Sequence, residues 1–141
     1  MAAETKSIRA ENWKRYRLLS TSLGNLVVCG KNAEQNEEVV KKFMGKDNLI
    51  IHTKEAGSPF CILLDKPKKP GKKDLHETAI FCAKYSRDFK KNKRDVEVHA
   101  FIGKDVYKGK SMKAGTFGVR KIRSRIKVKK QEIENFNDQT C

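Results

Sequence analysis

The stretch Leu26-Val27-Val28-Cys29-Gly30-Lys31-Asn32-Ala33-Glu34-Gln35-Asn36-Glu37-Glu38-Val39-Val40-Lys41-Lys42-Phe43-Met44-Gly45 decides the fold. Its opening residues form a short apolar, β-branched run bounded by Gly24-Asn25 and Gly30, the pattern of a buried strand. Asn32 stands three residues ahead of Gln35, so its side chain can cap a helix while Gln35 reaches back toward the preceding backbone. Beyond that cap, Val39, Val40, Phe43 and Met44 share one helical face, while Glu37, Glu38, Lys41 and Lys42 stay wet. Gly45 is a natural stop. A strand, a polar break and then an amphipathic helix predict a sheet with helices laid on it.

Upstream, Trp13, Tyr16, Leu18 and Leu19 surround Lys14, Arg15 and Arg17 in a segment that suits a short helix or a strand equally. Downstream, Leu49-Ile50-Ile51-His52 and Phe60-Cys61-Ile62-Leu63-Leu64 read as strands joined through Gly57-Ser58-Pro59. Prolines and repelling lysines make Lys66 to Lys73 an exposed basic loop. Asp74, with Glu77 in the capping-box position, is expected to open a second helix whose inner stripe is Leu75, Ala79, Cys82, Ala83 and Ser86. A charged loop from Arg87 to Arg94 follows, then an alternating strand over Val96 to Phe101 and short strands at Val106-Tyr107 and Thr116 to Val119. The order predicts an α+β domain, a single mixed sheet with two main helices. The boundaries read as a flexible tail over 1–10, the domain over 11–130 and a polar tail over 131–141.

The 141 residues suffice for one domain. Lys and Arg number 32 against 17 Asp and Glu, a net charge of +15, so an acidic partner is expected. Residues 61–141 hold 22 of the basic and 10 of the acidic groups, which places the expected contact surface in the second half. No apolar run approaches the roughly 20 residues of a membrane span, so no membrane partner is expected. Cys29, Cys61, Cys82 and Cys141 show no metal-ligand spacing and no secreted disulfide pattern; the first three read as reduced, buried packing groups in a cytoplasmic protein. No metal and no cofactor are expected.

Between Arg120 and Lys130 the cations Lys121, Arg123, Arg125, Lys127 and Lys129 alternate with Ile122, Ser124, Ile126 and Val128. A strand would place these five cations on one face, about 6.6 Å apart, where they repel unless an anion lies across them. Matched to a sugar-phosphate chain, such a row gains affinity by counterion release. The bland alternative is a solvated, lysine-protected sheet edge. Lys68, Lys69, Lys72 and Lys73 in the first basic loop, and Arg87, Lys90 and Lys91 in the second, are further phosphate candidates against ordinary solvated charge. Tyr85, Tyr107 and Phe117 are the aromatics available to stack on bases. A catalytic triad from Asp47, His52 and Ser58 is a poor fit, because Pro59 removes the backbone donor that follows the nucleophile in a hydrolase elbow. Gly57 and Ser58 can instead bring backbone close to a phosphate.

Gly30-Lys31-Asn32, Gln35-Asn36-Glu37, Asp47, His52 and Gly57-Ser58-Pro59-Phe60 resemble, in order and spacing, the pattern of the NFACT RNA-binding domain (NFACT-R). Trp13, the Ala83, Ser86 and Phe89 segment and Gly115-Thr116-Phe117 extend the likeness from about Glu11 to Arg125. Lys31 stands where that family usually has Arg, which keeps the charge and gives up bidentate phosphate geometry. The resemblance implies a stand-alone, non-enzymatic module of the kind found in ribosome quality-control factors of the NEMF and RqcH type. Its implied partners are tRNA and large-subunit ribosomal RNA, with ribosomal proteins or a separate chain carrying the other domains as further candidates. Lys31, Asn32, Asn36, His52, Gly57 and Ser58 carry the family motif, each with a purely structural alternative as cap, brace or loop anchor. Two rival readings are an RNA phosphate-processing enzyme using His52 and a protein-docking module.

Overall fold

The computed structural model describes residues 12–65 and 71–136. The expected tail over 1–10 and the phosphate candidates Lys68 and Lys69 lie outside them, as does Cys141. Eight strands are described: β1 (Arg17–Ser20), β2 (Leu26–Cys29), β3 (Leu49–Thr53), β4 (Cys61–Leu63), β5 (Val96–Ile102), β6 (Val106–Tyr107), β7 (Gly118–Val119) and β8 (Ser124–Val128). Four helices accompany them: α1 (Ala33–Phe43), α2 (Lys72–Lys84), α3 (Arg87–Asn92) and α4 (Lys130–Asn135). Six strands form one sheet in the order β1-β2-β4-β3-β5-β8, and β6 pairs with β7 in a small ribbon. The class is α+β as expected. Every pairing is antiparallel, so the sheet is not mixed.

Strand alternation divides the core between two faces. On one, Cys29, Cys61, Ile51 and Ala100 lie side by side across β2, β4, β3 and β5 beneath Ala79, Phe81, Cys82 and Ala83 of α2. On the other, Leu18, Val28, Ile62, Ile50 and Phe101 form a row covered by Val39, Val40 and Phe43 of α1. Cys29, Cys61 and Cys82 are buried, and burial pushes the thiols of Cys61 and Cys82 well up.

Four expectations are corrected. Asp74 does not cap α2: the cap is Gly71, and Asp74 is buried in the first turn, accepting from the Asn25 amide. Glu77 accepts from the Ser22 N–H at 2.8 Å, so both acids tie the helix to the β1–β2 hairpin. The charged loop from Arg87 is the helix α3, because the Ser86 Oγ accepts from the Phe89 N–H at 3.1 Å and Phe89 is buried. The polar tail expected from residue 131 opens as α4, whose Ile133 is 1% exposed within the α2-side core. Lastly, the strand expected across Lys121 to Lys129 is confined to β8, with consequences for its cations described below.

Candidate nucleic-acid interface

The apolar row under α1 ends at Phe101. One rung further along the sheet, Gly30 lies beside Phe60, and His52 beside His99. Helix α1 begins just past Gly30 and runs away from this rung, which leaves it as the floor of an open groove. The groove has a volume of about 1090 Å³. That exceeds the roughly 300–1,000 Å³ of a small-molecule pocket.

The motif residues build the groove wall. Asn32 Oδ1 accepts from the Gln35 N–H at 2.9 Å, and Gln35 Oε1 accepts from the Lys31 N–H at 3.0 Å, so the box-like cap forms. Buried Asn36 spans two elements: its Oδ1 accepts from the Phe60 N–H at 3.2 Å and its amide donates to the Ser58 carbonyl at 3.5 Å. A Cβ on Gly30 would sit 2.2 Å from Asn36 Oδ1, so only glycine lets this brace close. Ser58 is buried and its Oγ accepts from the Thr53 N–H at 3.1 Å. Gly57 turns the chain at φ +94°, and its carbonyl accepts from the Arg87 N–H at 2.8 Å. His52 stacks on Phe60 with ring centroids 4.0 Å apart. Burial lowers its pKa to about 4, so it is a neutral ring at physiological pH.

The opposite rim is the segment from Lys108 to Phe117, held to α1 by one carboxylate. Glu37 accepts from Lys108 Nζ at 2.9 Å, from Lys41 Nζ at 2.8 Å and from the Gly115 N–H at 2.8 Å. These donors, Lys41 and Lys108 foremost, pull its pKa down to about 2. The anchored rim offers Lys113 and Phe117 to the groove, Phe117 meeting Phe60 edge-on at 5.6 Å.

Six cations line the groove: Arg17, Lys31, Lys54, Arg87, Lys90 and Lys113. No Asp or Glu does. Among the described residues none of the six forms a salt bridge, whereas Arg15, Lys41, Arg94, Lys104, Lys108 and Arg123 each hold a carboxylate. Arg17 is the most constrained. Its guanidinium carbon lies 3.8 Å over the centre of the Tyr85 ring, and its buried Nε has no hydrogen-bond acceptor among the described residues.

Of the residues proposed from sequence, the groove gathers Lys31, Asn32, Asn36, His52, Gly57, Ser58, Arg87 and Lys90. Lys72 and Lys73 are exposed in the first turn of α2, and Lys91 is exposed on α3; none of the three lines it. The cation row is broken up. Only Arg125 and Lys127 lie within β8, on its exposed side, opposite His99 and Glu97 of β5. Arg123 precedes the strand and closes a two-pronged ion pair on buried Asp105, Nε to Oδ2 at 2.8 Å and Nη2 to Oδ1 at 3.2 Å. Lys121 also adds its field to Asp105, and Arg125 adds its field to Glu97. Lys129 caps α4, its N–H donating to Glu132 at 3.0 Å. Sequence reasoning missed Arg17, Lys54 and Lys113. Arg17 reaches the groove through strand pairing, opposite Cys29 and so beside Gly30-Lys31, which no spacing in the sequence announces.

Among the described residues no group of three or more His, Cys, Asp or Glu is placed to hold a metal ion, and no helix is long and apolar enough to cross a membrane. The model of a family described as the NFACT protein RNA-binding domain matches residues 14–121. The chain is 30% identical over 120 residues to the archaeal Rqc2 homolog aRqcH of Methanocaldococcus jannaschii, covering 82% of this chain and 18% of that protein. It thus spans less than a fifth of that relative's length. The C-terminal part of the fibronectin/fibrinogen-binding protein from Streptococcus suis has a similar fold, with a TM-score of 0.70 at 23% identity over 84% of this chain and 47% of that one. With the motif turns and the greater part of the sequence inside the match, the chain belongs to the NFACT RNA-binding domain family.

Proposed function

We propose that the chain is a non-catalytic module that holds tRNA or large-subunit ribosomal RNA by its phosphates in the end-of-sheet groove, and that it serves ribosome-associated quality control. The observation that carries this reading is a groove lined by six cations and no carboxylate. Cations crowded without counter-charges raise the local anion concentration and release counterions when a polyanion docks. The family and the Rqc2-type relative support RNA as that polyanion. His52 contributes shape and hydrogen bonding: its pKa near 4 leaves it uncharged, and no carboxylate in the lining orients it as a base.

The test is equilibrium binding of the protein to tRNA and to large-subunit ribosomal RNA across a salt series, beside a variant carrying Lys31→Gln, Arg87→Gln and Lys90→Gln. The expected result is a linear fall of log affinity with log salt, made shallower in the variant by roughly 2 to 3, near 0.7–0.9 per lost phosphate contact. Wild-type affinity and slope in the variant would remove the groove from RNA binding.

A further inference from the structure

The groove sorts its groups by chemistry. On the α2 side lie Arg17, stacked on Tyr85, with Arg87 and Lys90 close by, Arg87 folded over the Gly57 turn. On the α1 side the lining is mainly aromatic and aliphatic, Phe60, Phe101, Phe117, Val119 and Ile122, all within the α1-side core cluster, with Lys113 on the same rim and Lys108 Nζ 4.7 Å from the Phe117 ring centre, which leaves the ring's other side for a ligand. A duplex backbone needs an extended outer surface of evenly presented charge. The nearest thing to one, the row along β8, is interleaved with Asp105, Glu97 and Glu132. A concave site with arginines at one end and rings at the other matches one nucleotide pulled out of the stack, phosphate and base held separately.

We infer that the groove reads an unpaired RNA nucleotide, its phosphate held by Arg17 and Arg87 and its base lodged against Phe117 and the His52–Phe60 stack. This rests on the RNA-binding reading above and adds the class of RNA recognised: single strands, loops or bulges in preference to continuous duplex. Arg17 is suited to the phosphate because its stacking on Tyr85 fixes the plane of the guanidinium before the ligand arrives. Phe117 is suited to the base because it is half-exposed, while Phe60 beneath it is buried.

The experiment measures affinity for three probes: a short single-stranded RNA, the same oligonucleotide with its central bases removed, and a blunt duplex of the same length. The single strand is expected to bind about tenfold more tightly than the abasic strand, the typical effect of one stacked base. Phe117→Ala should cost about the same factor on the intact strand and almost nothing on the abasic one. Arg17→Gln should weaken both strands equally. Phe117→Leu keeps the apolar packing without the ring, so a loss in that variant as well separates stacking from misfolding. Equal binding of intact and abasic strands, or tighter binding of the duplex, would overturn the inference while leaving phosphate-driven RNA binding in place. Absence of binding to any RNA would overturn the RNA-binding reading itself.

Discussion

The groove at the sheet end and the cation row along β8 are made of the same residue types and differ in what lies beside them. In the groove, Arg17, Lys31, Lys54, Arg87, Lys90 and Lys113 converge from strands, turns and a helix around a floor with no acid in it. Along the row, Arg123 is held by Asp105, Glu97 lies opposite Lys127, and Lys129 sits on the cap that Glu132 completes. Among the described residues Arg123 is the row cation that closes an ion pair; what separates the two regions is that carboxylates stand beside the row while the groove lining holds none, although Lys54 at its edge also lends its field to Glu97. Net charge therefore says that an anion is wanted, and the local count of counter-charges says where.

The sharpest way to break this contrast is Gly30→Ala. The added Cβ falls 2.2 Å from Asn36 Oδ1 and 2.7 Å from its backbone N, so Asn36 has to leave Phe60 and Ser58. A buried donor and acceptor left unpaired cost about 1–3 kcal/mol. Chemical denaturation should show that loss, and RNA affinity should fall with it because the motif wall of the groove hangs on that side chain. A stable Gly30→Ala protein that binds RNA normally would detach the motif from the groove.

Next comes a direct match of the two regions. Arg17→Gln, Lys54→Gln and Lys113→Gln together should lower RNA affinity about fiftyfold at physiological salt, from a slope near 0.7 for each single-strand phosphate. Arg125→Gln with Lys127→Gln should cost less than about threefold, since exposed charges near a carboxylate act weakly through salt. Reversal of that ranking would restore the row as the binding surface.

That ranking also marks how far the sequence could be read. The central strands β2 to β5 and both main helices were legible because apolar periodicity is local: Val39, Val40 and Phe43, or Ala79, Cys82 and Ala83, announce one buried face each, whereas the β1 segment suited helix or strand equally. The motif turns were legible too, through Gly30, Asn32 and Gly57. Arg123 was misread because alternation continues through residues 121–123 while the chain has already left the sheet. The Arg120 N–H donates to the Asp105 carbonyl at 2.7 Å, and the Arg123 N–H to that of Ala100 at 2.8 Å. No pattern in 121–129 reveals that Asp105, many residues earlier, waits at the end of β5. The convergence of Arg17, Lys54 and Lys113 was hidden for the same reason, being a product of strand order rather than of spacing.

The groove rim answers to acid through Glu37. Its folded pKa of about 2 lies below the ordinary value of 4.5, so its contribution is complete above about pH 4.5 and disappears as pH falls toward 2. Glu37→Gln should flatten the acid limb of a thermal-stability profile in that window. At neutral pH it should reduce RNA affinity by about fourfold, the worth of one displaced cation, as Lys113 loses its anchored rim.

The smallest effect on binding is expected from Arg123→Gln, and it isolates the row's own chemistry. Hydrogen bonds from Arg123, ahead of all other influences, hold the Asp105 carboxyl below its ordinary value. A carboxyl depressed in the folded state stabilises above its unfolded pKa and loses that contribution as pH falls through the folded one. The wild type should therefore shed stability on acidification through the carboxylate range. The variant should begin slightly less stable at neutral pH and shed less, because Asp105 keeps only its weaker partners, the Ile102 N–H at 3.0 Å and the field of Lys121. RNA affinity should move by less than about twofold, one screened charge outside the groove lining and held by Asp105. A large loss of RNA binding together with an unchanged acid limb would mean that Arg123 serves the ligand rather than Asp105, and the distinction between the two regions would fail at the residue where it is drawn most tightly.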